Sequence, residues 1–292
     1  MENAFRELIA KLAITSDNEL RADIVRKIIY RAADFISVGT KIVGVVNTDT
    51  LELKYHIPSE LSAEYPVAEG AVANVDNSIT WTDFVLSLKK AEVPLFLTDE
   101  AKIRQFDNQW AMVLRRAGEA LAKAKDQNIL TTLASGNYSS NTHAASAKWN
   151  TSSGDPAGDI AKALEGILQA SGVNDSDIRN VAVVVPVQAW GYLMKTQDIE
   201  NVRTNLINWF KESYGIEFYP TKWYDTYAVV LIKGEGTAIH GVYNGKDVPL
   251  SEEFRHPGMT EYRIRQYFNT VVVPESSSVT TSKRIYKITS IL

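Results

Sequence analysis

Leu97-Thr98-Asp99-Glu100 opens the stretch that decides the fold. From there Ile103, Phe106, Trp110, Val113, Ala117, Ala120 and Ala124 recur every three or four residues, with Leu114 and Leu121 widening the stripe. That spacing puts them on one face of an α-helix. Thr98 suits the N-cap, and Asp99 and Glu100 suit the positive end of the helix dipole. The pattern reaches Asp126 or beyond, which predicts a helix of about 28 residues and, at 1.5 Å per residue, about 42 Å. A helix of that length crosses an average domain. With one apolar stripe it reads as a strut lying on a sheet.

Before this helix the period is two. In 50–58, Leu51, Leu53, Tyr55 and Ile57 alternate with Thr50, Glu52, Lys54 and His56, as in a half-buried strand. A second extended stretch runs from about 79 to 97. The connection between them spans about 20 residues, longer than a compact domain carries without a purpose. It holds Glu60, Glu64, Glu69 and Asp76 and no Lys or Arg. A long hairpin with a tip of one sign is suited to reaching onto another surface.

Further upstream, 17–36 reads as a helix, with Leu20, Ile24, Ile28 and Ala32 at four-residue spacing beside Val25, Ile29 and Ile36. Arg21, Arg26, Lys27 and Arg31 fill much of the remainder. They form either a solvated face or a weak contact with a polyanion. Over 17–41 five bases face four acids, a net of +1, which suits loose contact without sequence readout.

Downstream, 134–154 is rich in small polar residues and reads as a loop or junction. A second αβ region follows. Asp155-Pro156 reads as N-cap and first helical position, with Ile160, Ala163, Leu164, Ile167 and Leu168 as the stripe and Gly172 as the stop. Val181-Ala182-Val183-Val184-Val185 is a buried strand, and 188–194 a short helix after Pro186. Val202, Leu206, Trp209 and Phe210 suggest another helix. Strands are expected at 216–219, 227–232 and 237–243, with Gly234-Glu235-Gly236 turning the last pair as a hairpin. After a connection at 249–258, Tyr262, Ile264 and Gln266 alternate with Arg263, Arg265 and Tyr267. Val271-Val272-Val273-Pro274 and an alternating 284–291 close the chain. The block 135–245 therefore reads as an insertion between the long helix and the final strands.

Composition narrows the chemistry. The 292 residues are 45% hydrophobic and 23% charged, ordinary for a globular chain, and the net charge of −4 offers no global pull on nucleic acid. With no cysteine, disulfides, thiol nucleophiles and Cys-based metal sites are excluded. The longest apolar run, 181–187, is far short of a membrane helix, and the N-terminus lacks the basic start and apolar stretch of a signal peptide. His56, His143, His240 and His256 lie far apart with no H-x-x-x-H pair. The glycines of 234–241 do not fit a G-x-G-x-x-G loop, and neither a Walker lysine motif nor a G-x-S-x-G elbow is present. Asp175 and Asp177 fit a solvated turn. Trp110 and Trp209 fall at core-facing positions. No catalytic, metal or cofactor residue is assigned, and none is expected.

The order of elements, together with Trp81-Thr82-Asp83-Phe84, Val93-Pro94-Leu95-Phe96-Leu97-Thr98-Asp99-Glu100-Ala101, Gly118-Glu119-Ala120-Leu121-Ala122 and Asp126-Gln127-Asn128-Ile129-Leu130, resembles the major capsid protein of tailed phages and related archaeal viruses, the Hong Kong 97 fold. The encapsulin shell protein is its close relative. The resemblance implies an α+β fold with an N-terminal arm and helix (1–45), an extended loop hairpin (46–97), a peripheral domain with a long spine helix (98–134 and 246–292) and an axial domain (135–245). It implies self-assembly through pentamers and hexamers into an icosahedral shell around a viral genome, in a virion assembled in the host cytoplasm, with no enzymatic activity. An encapsulin-like compartment shell is the alternative, and a soluble αβ hydrolase or sugar-binding protein the second. Implied partners are other copies of the chain, packaged double-stranded DNA held without specificity, and portal and scaffolding proteins; no membrane is implied.

By the same resemblance the extended loop lies over a neighbouring subunit through Glu60, Glu64, Glu69, Asp76 and Trp81. Lys102, Arg104, Arg115, Arg116, Arg263 and Arg265 are candidate basic receptors on that neighbour. Arg21, Arg26, Lys27 and Arg31 are candidate inner-surface contacts for DNA. Single exposed ion pairs contribute only about 0–1 kcal/mol, but repetition around a closed shell multiplies them. Some family members crosslink a loop lysine to a neighbour's asparagine. Here the loop carries no lysine, the nearest being Lys54 and Lys89, so no such bond is expected. About 45 residues precede the hairpin, too few for the large scaffolding extension some capsid proteins carry.

Overall fold

A computed structural model describes residues 24–27, 29, 38–58, 79–100, 107–169, 173, 175–199, 202–245, 251–274 and 279–292. They fall into two compact units, each assembled from three pieces of chain. The first takes the described residues of Met1–Leu51, Ser87–Thr132 and Ala238–Val271. The second takes those of Glu52–Leu86, Leu133–Thr237 and Val272–Leu292.

The first unit is built on a sheet whose strands, numbered in chain order through the molecule, run β1 (Val43–Thr48), β11 (Gly234–Tyr243), β13 (Met259–Val272) and β12 (Ser251–His256), with β4 (Lys89–Thr98) also paired to β13. β13 shows why: Tyr262, Ile264, Gln266, Phe268, Thr270 and Val272 are buried, while the residues between them are half-exposed. On that apolar side pack Leu114, Ala117, Leu121 and Ala122 of the long helix α1 (Asp107–Ser135), with Ile24, Val25, Ile29 and Leu95. Each fully buried aliphatic side chain contributes about 1.5–3 kcal/mol.

The strut expected from the sequence is therefore present, with its stripe turned. Val113, Ala120 and Ala124 are exposed, and the bulkier Leu114 and Leu121 centre the buried face. Small alanines form helix well wherever they sit, so size decided which side turned inward. The helix runs nine residues past Asp126 because Ile129, Leu130 and Leu133 keep the apolar spacing and are buried. Ile103 and Phe106, and the side chain of Trp110, lie outside the described residues, as does most of the expected 17–36 helix.

The second unit holds a mixed sheet in the order β5 (Thr142–Ala144), β14 (Ile285–Thr289), β10 (Ala228–Ile232), β6 (Val181–Pro186), β9 (Glu217–Thr221). β10 is antiparallel to both β6 and β14, while β6 runs parallel to β9 and β14 parallel to β5. Three helices, α2 (Pro156–Leu168), α3 (Val187–Leu193) and α4 (Leu206–Tyr214), bury Ile160, Leu164, Ile167, Ala189, Leu193 and Phe210 in one core with Val181, Val183, Val185, Val230 and Ile288. The α2 start is as expected: the Asp155 carboxylate accepts from the Gly158 N–H at 3.0 Å, and Pro156 follows it. α4 is capped by Asn205, which accepts from the Asn208 N–H at 2.8 Å, and closed by Gly215 at φ 72. Two ribbons complete this unit: β2 (Glu52–Pro58) with β3 (Trp81–Ser87), and β7 (Thr196–Ile199) with β8 (Val202–Asn205).

Several expectations are corrected. Val202 begins a strand, and the helix starts only after the Asn205 cap. Gly234–Gly236 is not a hairpin turn: β10 pairs with β6 and β14, whereas β11 belongs to the other sheet. The connection at 249–258 contains β12, which folds back on β13 around Gly258 at φ 79. Hydrogen bonding also cuts across the boundaries read from chain order, since β11 joins the first sheet and β14 the second. Strand partnership is set by register across the chain, which local alternation does not encode.

Candidate functional site

The β2–β3 ribbon has two unlike faces. Leu53, Tyr55, Ile57, Thr82 and Phe84 are half-buried and Leu86 is buried, with Tyr55 stacked on Phe84 at 5.0 Å. The other face shows Glu52, Lys54, His56, Trp81, Asp83 and Val85, all exposed, with His56 Nδ1 2.6 Å from Asp83 Oδ1. Trp81 is 59% exposed, a large indole surface facing water. Glu60, Glu64, Glu69 and Asp76 lie outside the described residues.

Of the six candidate receptors, Lys102 and Arg104 also lie outside the described residues. Arg115 and Arg116 are exposed on α1, with Arg115 3.6 Å from its own Glu119. Arg263 and Arg265 sit on the outer face of the first sheet, where the register sets them among carboxylates of the same chain. Arg265 lies 2.9 Å from Glu252 and 3.4 Å from Glu92; Arg263 lies 2.5 Å from Glu261 and stacks over Phe254. A hydrogen bond from Lys90, then the nearby arginines, hold the Glu92 carboxyl below its usual range despite partial desolvation. Hydrogen bonds from Arg263 and His256 do the same for Glu261. The ladder is neutralised within the chain. Sequence reasoning missed Glu92 and Glu252, because their opposition to the arginines appears only once β4, β13 and β12 are in register, and it overlooked Glu261, two residues before Arg263 on the same strand.

Two further contacts organise the first unit. The Asp126 carboxylate on α1 accepts from the N–H of Gly39 at 2.8 Å and of Val38 at 3.1 and 3.2 Å, capping a 3₁₀ turn at Gly39–Lys41. A relay of side chains starts at buried His240 on β11. His240 Nδ1 lies 2.8 Å from Thr270 Oγ1, which donates to Asn128 Oδ1 at 2.8 Å; Asn128 donates to Asn269, and Asn269 to the Ser87 carbonyl at 2.8 Å. Because the threonine spends its only proton on Asn128, the imidazole must donate from Nδ1. Burial first, and Lys125 second, push the His240 pKa down to about 4. Of the candidate DNA contacts, Arg26 is half-buried and Lys27 exposed, each with a partner, while Arg21 and Arg31 lie outside the described residues.

In the second unit a groove of about 430 Å³ runs between α2 and α4, walled by Ala161, Leu164, Leu168, Ile178, Trp209 and Tyr214. On its rim Gln169 donates to Glu165 at 3.0 Å. Buried Asp159 accepts from the Ser146 N–H and from Trp149 Nε1 at 2.8 Å, with His143 Nε2 3.8 Å away. Among the described residues no group of three or more His, Asp or Glu could hold a metal ion, and no helix is long and apolar enough to cross a membrane.

Comparison with known proteins follows the same lines. The family model described as phage capsid protein matches residues 95–282. No curated protein sequence matches. Among solved structures, the virus-like particle from Pyrococcus furiosus is similar with a TM-score of 0.62 and 12% identity, over 91% of this chain and 98% of that one. The capsid of Myoviridae phage XM1 gives 0.59 and 9% over 85% and 90%, and Mycobacterium phage Cain 0.60 and 15% over 87% and 90%. At such identities the likeness is one of fold, the Hong Kong 97 type.

Proposed function

This chain belongs to the phage capsid protein family, and on that premise we propose how it works as a shell subunit. It is a major capsid protein, a structural component of the virion that associates with copies of itself. Our reading is that the first unit is the peripheral domain with α1 as its spine, and the second sheet with its helices is the axial domain, set around the axis of pentamers and hexamers. The β2–β3 ribbon and the 59–78 connection reach onto a neighbour, with Trp81 as the anchor. The single observation that carries this is the exposed ribbon face: an indole 59% exposed, on the same strand face as exposed Val85, is a contact surface suited to a partner.

The self-paired ladder makes Arg263 and Arg265 weaker receptors for an acidic tip than Arg115 and Arg116. Packaged DNA would meet Arg21, Arg26, Lys27 and Arg31 through phosphate contacts alone. Portal and scaffolding proteins, assembly in the host cytoplasm and the lack of enzymatic activity belong to the same reading. The family match is to phage capsid proteins, which favours a viral shell over a cargo compartment. Negative-stain microscopy and light scattering of purified protein should show hollow particles or isolated capsomers. A monomer at every salt, pH and concentration tried would refute it.

A further inference from the structure

The second unit carries two apolar features that do not overlap. One is the groove between α2 and α4. The other is the outer side of α3. Its inner side is spent on the core through Ala189 and Leu193, and Trp190 packs beside them. Its outer side leaves Val187, Tyr192 and Met194 exposed, Met194 by 48%. Two large apolar side chains facing solvent on a seven-residue helix, with a third at its C-cap, exceed what a solitary surface needs.

We propose that α3 of one copy seats in the α2–α4 groove of the next copy, making a head-to-tail contact. The inference rests on the reading of this chain as a shell subunit and adds to it the residues that meet. Three observations fit the two surfaces to each other. At 1.5 Å per residue, Ala161 to Leu168 along the groove and Val187 to Met194 along α3 each span about 10 Å. The groove wall is apolar and aromatic, as is what α3 presents, and two helices with a third between them give the ridge-in-groove packing that helices favour. The charges are complementary: Glu165 is the charged residue lining the groove, and Lys195 is the charged residue of 187–195. Groove and ridge are different surfaces of one subunit, so their union is heterologous. Such a contact closes a ring where the rotation permits.

The test uses exposed positions, so that the subunit still folds. Ala161→Arg blocks the groove, and Met194→Asp spoils the ridge. Each alone should abolish capsomers and particles in sedimentation and negative stain, with an unchanged circular dichroism spectrum. Mixed one to one, the pair keeps one intact groove and one intact ridge, so it should give dimers and no closed rings. Glu165→Lys or Lys195→Glu should raise the concentration needed for assembly by roughly fivefold per contact, and the two swaps together should restore it. If the wild type forms particles and either blocking variant assembles equally well, the contact is wrong while the shell reading stands. If both blocking variants fail but their mixture closes rings, the contact is not head-to-tail and the proposal falls. A wild type that never assembles overturns both.

Discussion

Replacing Asp126 with alanine tests whether the turn at Gly39–Lys41 is held by the long helix. The carboxylate receives two backbone N–H groups, at 2.8 Å from Gly39 and 3.1 Å from Val38. A hydrogen bond to a charged acceptor contributes about 1.5–3 kcal/mol when shielded. With the site only half-buried, the pair is expected to contribute about 2–4 kcal/mol. For a chain of this size that corresponds to a fall in Tm of roughly 3–7 °C. Asp126→Asn keeps one oxygen acceptor and should lose about half as much, roughly 1–2 kcal/mol. Gly39→Ala attacks the same contact from the other side, since a Cβ there would lie 2.9 Å from Ile129 Cδ1 and 3.1 Å from Asp126 Oδ1. Because both substitutions loosen one joint, the double variant should cost less than the two singles together, by about 1 kcal/mol. Urea unfolding of dissociated subunits gives the energies, and limited proteolysis between 38 and 42 reports on the turn. An Asp126→Ala subunit within about 0.5 kcal/mol of wild type, with cleavage unchanged, would sink the reasoning.

Buried His240 should make the first unit acid-sensitive. Its folded pKa of about 4 lies below the ordinary 6.5, so the unfolded chain binds the proton more readily. The stabilisation is complete above pH 6.5 and is lost as pH falls toward 4, by about 3 kcal/mol at 1.36 kcal/mol per unit. Urea midpoints of wild type should fall over that window, and those of His240→Gln should flatten. Gly166→Ala should destabilise the second unit by about 1–3 kcal/mol in thermal melts, although alanine favours helix, because the new Cβ would overlap the Tyr286 ring. A gain in stability would mean that this ring is free to move aside. Intact-mass measurement of dissociated particles should show monomer mass only, since residues 59–78 hold no lysine; covalent ladders would contradict this.

Much of the architecture was legible because it is written in local period. The 3.6-residue stripe of α1, the alternation of β2 and β13 and the Asp155-Pro156 cap each depend on near neighbours alone. Two kinds of information were not legible. Which face of α1 turns inward depended on the competition between Leu114 and Val113 for one sheet surface, and only packing decides that. Which strands pair depends on register across distant chain, so Gly234–Gly236 reads as a hairpin turn although it is the start of β11, in the other sheet from β10. The contact residues suffered from the same blindness. Arg263 and Arg265 read as open cations because Glu92 and Glu252 stand opposite them only in the folded sheet. The groove between α2 and α4 arises from two helices about 40 residues apart, each of which reads by itself as an ordinary amphipathic segment.

β14 lies between β5 and β10 in its sheet, yet β10 ends at Ile232 and β14 begins only at Ile285, with β11, β12 and β13 of the other sheet in between. A chain cut anywhere before position 285 would have a missing slat there, leaving one edge of Ala228–Ile232 without its partner. The core shared with α2, α3 and α4 draws Tyr286 and Ile288 from that same late slat, so it stays open until the first sheet's strands have been threaded through.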